Sequence, residues 1–157
     1  MTSQFDASTF LDFTTTEESV KRPPIPEGDY IGIVGDLTAS PWVSSKDATK
    51  SGMKFDVPIT LDLPEDVWTA AGLRDGQLVV KDSMMLDLTP QNTLDFSPGK
   101  NGKLRKYREA TNNNKAGQPF SARALTGQAI TVKITHREYP EGSGDYFEQV
   151  SGVAAHG

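Results

Sequence analysis

Between Met53 and Leu63 apolar and polar side chains alternate without a break. Met53, Phe55, Val57, Ile59, Leu61 and Leu63 are apolar, and Lys54, Asp56, Pro58, Thr60 and Asp62 separate them. A period of two over this length predicts a half-buried strand, one face in a core and the other in water. Pro58 has no N–H for a ladder, so its side of the strand is expected at an edge or a bulge. The alternation returns late in the chain, with Ile130, Val132 and Ile134 against Thr131, Lys133 and Thr135. A Pro-Glu-Gly-Ser-Gly turn at residues 140–144 follows, and residues 145–154 read as the returning strand of a hairpin. Residues 78–88 give a further β region, opened by Gly76, with Leu78, Val80, Met84, Leu86 and Leu88 as inward candidates, and Asp82-Ser83 is expected to divide it. Residues 30–39 predict the first strand, entered from a turn at residues 26–30. Gly32 and Gly35 within it mark a bulge or sharp bend, as a small closed barrel needs at its corner.

Two helices fit between these strands. Residues 64–72 open on Pro64-Glu65-Asp66 and end on Gly72, with Val67, Trp68 and Ala71 as a packing face. Residues 99–115 offer a second, with Asn101 as its cap, Leu104, Tyr107 and Thr111 at helical spacing, and Asn112 to Asn114 as its stop. Leu104 and Tyr107 are expected to face the core. Residues 40–52 read as a polar loop holding Trp42, and Phe120 and Leu125 can pack from the connector before the last hairpin. The polar, Pro-containing stretch at residues 1–25 resists regular structure and reads as a flexible N-terminal arm. Its Phe5, Phe10, Leu11 and Phe13 are expected to dock on the protein, because large apolar side chains are seldom left exposed together. Residues 26–157 then form a single mainly β domain. The order β, loop, β, helix, β-β, helix, β-hairpin suits an OB-like five-stranded Greek-key barrel with one or two short helices; a β-sandwich is the alternative.

Charge sharpens the picture. Residues 99–115 hold six cations (Lys100, Lys103, Arg105, Lys106, Arg108 and Lys115) and one anion, Glu109, a sum of +5. The whole chain has a formal net charge of -5, so the other residues sum to -10. An acidic chain that gathers its cations in one segment is expected to use them on an anion; the plainer alternative is a solvated helix face answering nearby carboxylates. There is no Cys, so disulfides, thiolate nucleophiles and cysteine metal sites are excluded. The first ten residues lack a basic region followed by an apolar run, and no apolar stretch approaches the ~20 residues of a bilayer span, so a soluble protein with no membrane partner is expected.

Catalytic chemistry finds little to work with. His136 and His156 are the only histidines, and no paired-His, H-x-E or H-E-x-x-H spacing exists. No Walker lysine motif or nucleophile elbow is present, and the glycines of GDYIGIVGD punctuate a strand instead of opening a helix. No enzyme activity, metal or cofactor is therefore expected. Binding a single polynucleotide strand asks for less: cations along a groove and ring faces for bases. Trp42, Lys46, Lys50 and Lys54 supply these around the first loop. Lys133, Arg137, Tyr139 and Tyr146 supply them on the closing hairpin, where Phe147 also lies. Lys103, Arg105, Lys106 and Arg108 would extend the basic track. Against this, one of Tyr146 and Phe147 is expected in the core, and Trp42 could cap a barrel end.

Several pieces occur in a recognisable order. Phe10-Leu11-Asp12-Phe13 is followed by Pro26-Glu27-Gly28-Asp29-Tyr30, then Lys50-Ser51-Gly52-Met53-Lys54-Phe55. Residues 104–110 (LRKYREA), Phe120, Leu125-Thr126-Gly127, the strand VKITHREY and Tyr146 to Gly152 complete the series. From Pro26 onward this resembles a family of phage-encoded proteins that bind single-stranded DNA through an OB-like barrel. The resemblance implies non-catalytic strand binding with little sequence preference in phage DNA replication or recombination. It also implies the cytoplasm of an infected bacterial host as the setting, and replication or recombination proteins as partners. Residues 151–157 carry no acidic run of the kind many such proteins use to recruit partners; the acidic, aromatic N-terminal arm could take that part. The alternative is a structural or adaptor protein of the virion or replisome, acting through protein contacts. Oligomeric state, DNA site size and DNA against RNA preference stay open.

Overall fold

The computed structural model describes residues 5–156. It holds six antiparallel strands: β1 (Gly28–Val34), β2 (Thr38–Val43), β3 (Ser51–Asp62), β4 (Gln77–Met85), β5 (Ala129–Glu138) and β6 (Tyr146–Ala155). Three α-helices accompany them, α1 (Ala7–Leu11), α2 (Glu65–Ala70) and α3 (Gly102–Ala110), with a 3-10 turn at Ala122–Leu125. All six strands belong to one sheet. β3 pairs with β4 along one edge; along the other it pairs first with β2 and then with β1, and β1 continues the sheet to β5 and β6. β4 and β6 each pair on one side only among the described residues, so the sheet is open between them.

The alternation of residues 53–63 is realised as β3. Val57, Ile59 and Leu61 are buried, and Pro58 sits between β4 and the junction of β1 and β2. At that junction the predicted first strand divides. Gly35 donates its N–H to Pro58 O at 2.8 Å, and pairing resumes at Thr38. The expected polar loop is thereby shortened, because residues 40–43 pair with residues 51–54 and only residues 44–50 cross the turn. Gly32 has a different role from a bend: it faces the core, where a Cβ would lie 2.5 Å from Ile59 Cγ2 and 3.1 Å from Val132 Cγ2. β4 is continuous through Asp82-Ser83, with Asp82 taking an inward place in the row of Leu78, Val80 and Met84. The final hairpin forms as predicted, with one extra residue in β6 between Gly152 and Val150.

The core contains Ile25, Val34, Val57, Ile59, Leu61, Leu104, Tyr107, Leu125, Ile130, Val132 and Ile134. Helix α3 lays Leu104, Tyr107 and Ala110 against it and packs on β6. Asn101 occupies the cap position but makes no side-chain cap bond. Its amide instead accepts from Asp87 N–H and donates to the carbonyls of Asp87 and Asp95, tying the preceding loop to the helix.

The arm departs from expectation in two ways. Residues 1–4 lie outside the described residues, but Asp6 accepts from Ser8 N–H and caps the short α1, so part of the arm is helical. Phe10, Leu11 and Phe13 are exposed and do not dock on the domain. What docks is the root: Ile25 is fully buried, its N–H donates to Glu148 Oε1, and Arg22 bonds both oxygens of Glu148 at 2.8 and 3.2 Å.

Candidate functional site

The open seam between β4 and β6 is lined by cations and rings. Strand alternation puts Lys81 and Ser83 on the outer face of β4, opposite Pro58 and Asp56 of β3. On the other rim, register pairs Arg137 of β5 with Phe147 of β6, and Tyr139 follows Arg137 at the hairpin tip. Helix α3 adds Lys103. Together these border a cavity of about 530 Å³ lined by Lys81, Asp82, Ser83, Lys103, Arg137, Tyr139, Phe147, Glu148, Gln149 and Val150.

The acidic groups at this seam are already engaged. Asp82, 5% exposed, accepts from the Tyr107 hydroxyl at 2.7 Å and meets Lys103 Nζ at 2.6 Å. Burial, then the neighbouring Asp82 charge, pushes the Tyr107 phenol far up, so it stays a hydrogen-bond donor. Glu148 is taken by Arg22. Burial alone would raise this carboxyl, but the bonds from Arg22, the backbone N–H donors and the Arg22 charge outweigh it and hold it below the usual range. Asp56 is held low chiefly by the Ser83 hydroxyl, with Lys54 and Lys81 adding charge. Lys81 and Arg137 make no ion pair among the described residues, and the Arg137 guanidinium stands 5.8 Å from the Tyr139 ring centre.

The rings are accessible. Tyr139 is 62% and Phe147 44% exposed, so neither they nor Tyr146 belong to the core. The reason is that the hairpin outruns the core at this end. Beyond Ile134 and Val150 the inward positions are His136 and Glu148, which hold the arm root through His136 Nε2 with Ile25 O at 2.6 Å and through the Arg22 pair. Lys21 closes over this end, its ammonium 3.6 Å from the Phe147 ring centre, while donating to Tyr146 O.

Of the residues singled out from sequence, Lys103, Arg137 and Tyr139 meet at this cavity. Lys54 shares its outer face, opposite Met85 and pairing Asp56 at 3.8 Å. Trp42 is on that face too, but its indole lies across Gly52 and its Nε1 is buried without a partner. Lys46 and Lys50 project from the β2–β3 turn. Lys133 borders a separate hollow with Asp29 and Gly152, and Lys106 one beside Tyr107 and Val153. Tyr146 neighbours Phe147 but pairs with Glu138 in the row of Glu148. Arg105 and Arg108 lie on the far flank of α3. Lys81 and Ser83 were not anticipated as site residues, and Phe147 was noted on the hairpin but not included in the candidate set. Counting alternation back from Val150 puts Phe147 outward beside Arg137, and counting from Asp82 puts Lys81 outward.

Among the described residues no three His, Asp or Glu side chains are grouped to hold a metal, and no helix is long and apolar enough to cross a membrane. No family model and no curated protein sequence matches this chain.

Proposed function

We propose that this protein binds single-stranded DNA without catalysis and with little sequence preference, through the seam between β4 and β6. The observation that carries the reading is the meeting of Lys81, Arg137, Tyr139 and Phe147 at one cavity, where Lys103 and Arg22 already engage the carboxylates. Cations there neutralise phosphates and the rings take bases, a combination indifferent to base identity. In this reading β1 and β2 act as one bent strand of an OB-like Greek-key barrel, with α3 between the third and fourth strands and the last hairpin beside the groove. The order of motifs from Pro26 onward supports a role in phage DNA replication or recombination, in the cytoplasm of the infected host. Fluorescence polarisation of a labelled oligo-dT at two salt concentrations tests it, with oligo-U alongside for RNA. Tight, salt-sensitive binding is the expected outcome, and no binding at low salt removes the proposal.

The exposed Phe10, Leu11 and Phe13 favour a second reading, an adaptor or virion protein that binds other subunits through its arm. Concentration-dependent assembly that needs residues 1–25 and ignores DNA would select it.

A further inference from the structure

Helix α3 separates the seam from a second surface of cations and rings. Its Lys103 and Lys106 border the cavities on the β4 and β6 side. On its other flank a cavity of about 220 Å³ is lined by Phe96, Lys100, Arg105, Arg108 and Asn114, among others. There the Arg108 guanidinium stands 4.4 Å from the Phe120 ring centre and 5.5 Å from that of Phe96, with its Nε donating to Asn113 O at 3.2 Å. Phe120 packs on the core, whereas Phe96 is 58% exposed. The loop thus holds a large ring open to solvent beside a guanidinium already oriented by a neighbouring ring. Lys100 and Arg108 make no ion pair among the described residues; Arg105 has only an exposed contact with Glu109 at 3.6 Å. Asp95, next in sequence to Phe96, has Oδ1 occupied by the Ser97 N–H and hydroxyl.

We propose that this pocket is a second subsite for the same strand. A base stacks on Phe96, Lys100 and Arg105 meet the flanking phosphates, and the strand reaches the pocket from the seam across α3. The proposal rests on the strand-binding reading above and assigns it a path. A single groove of this kind covers ~4–16 nucleotides, so a short strand fills the seam and a long one must leave it.

The test compares labelled oligo-dT of ~8 and ~30 nucleotides, lengths chosen to bracket one groove. Phe96→Ala is expected to weaken the long oligonucleotide about tenfold, the scale of one lost stack, and to leave the short one unchanged. Phe96→Trp keeps a stacking face and is expected to bind both as the unaltered protein does. Lys100→Gln with Arg105→Gln is expected to lower the salt slope of the long complex by ~1.4 and that of the short one not at all. Phe96→Ala leaving both lengths unchanged, or weakening both equally, overturns the subsite while the seam reading stands. Failure of the unaltered protein to bind either length removes both.

Discussion

Lys21 holds its ammonium 3.6 Å from the centre of the Phe147 ring. The root of the arm and a half-exposed ring of β6 therefore share one surface. Phe147→Ala is expected to weaken oligo-dT binding by ~1–3 kcal/mol, with the salt slope unchanged. Phe147→Leu, which keeps apolar bulk without a π face, is expected to weaken it almost as much. Full affinity in either variant would take Phe147 out of the interface.

Lys81 and Arg137 are expected to show the opposite signature. Replacing either by Ala should lower the salt slope by ~0.7, the share of one phosphate contact on a single strand. A titration over several salt concentrations reads this directly, and an unchanged slope in both variants would put the phosphates elsewhere.

The Tyr107 hydroxyl is the buried donor to Asp82. Tyr107→Phe leaves that carboxylate short of a partner, so urea unfolding should show a loss of ~1–3 kcal/mol. Adding Asp82→Ala is expected to cost less than the sum of the single changes, because the two groups share one bond.

Glu148 supplies the acid dependence of the arm root. Its carboxyl titrates below the ordinary value of 4.5, so its contribution to stability is present above that pH and is lost as pH falls through the folded-state value. Between neutral pH and strong acid the unaltered protein should therefore lose more stability than Glu148→Gln does. Equal losses in thermal melts across that range would show that the Arg22 tie contributes nothing.

Two glycines are expected to differ in cost. At Gly32 a Cβ would press on the Ile59 methyl inside the core, so Gly32→Ala should destabilise by ~1–3 kcal/mol. At Gly52 the Cβ would lie 2.9 Å from Trp42 Nε1. That indole is only partly buried and can lift away, so Gly52→Ala should change Trp fluorescence with a smaller loss of stability.

Alternation made β3, β5 and β6 legible, because each buries one face on the core and exposes the other. The helical spacing of Leu104 and Tyr107 did the same for α3. Gly35 marked the bend between β1 and β2, but its partner was hidden, since the N–H of Gly35 bonds Pro58, 23 residues away in sequence. Asp82 read as a strand breaker because its partners, Tyr107 and Lys103, come from a later helix. The arm misled for a related reason: composition marks Phe10 and Phe13 as apolar but not whether the domain has room for them. Of the candidate site, the hairpin residues Arg137 and Tyr139 followed from the turn. Lys81 and Phe147 needed the sheet topology that brings the unpaired rims of β4 and β6 together.

The rims of the open sheet meet without a ladder, and α3 spans them, bonded to β4 through Tyr107 and packed on β6. Such a joint is fastened by a buckle and has no stitching. Anything seated in it touches the middle of the chain on one lip and the last hairpin on the other, and so serves as a second clasp. Occupancy should then stiffen parts of the molecule far from the contact, slowing amide exchange in β4 and β6 together.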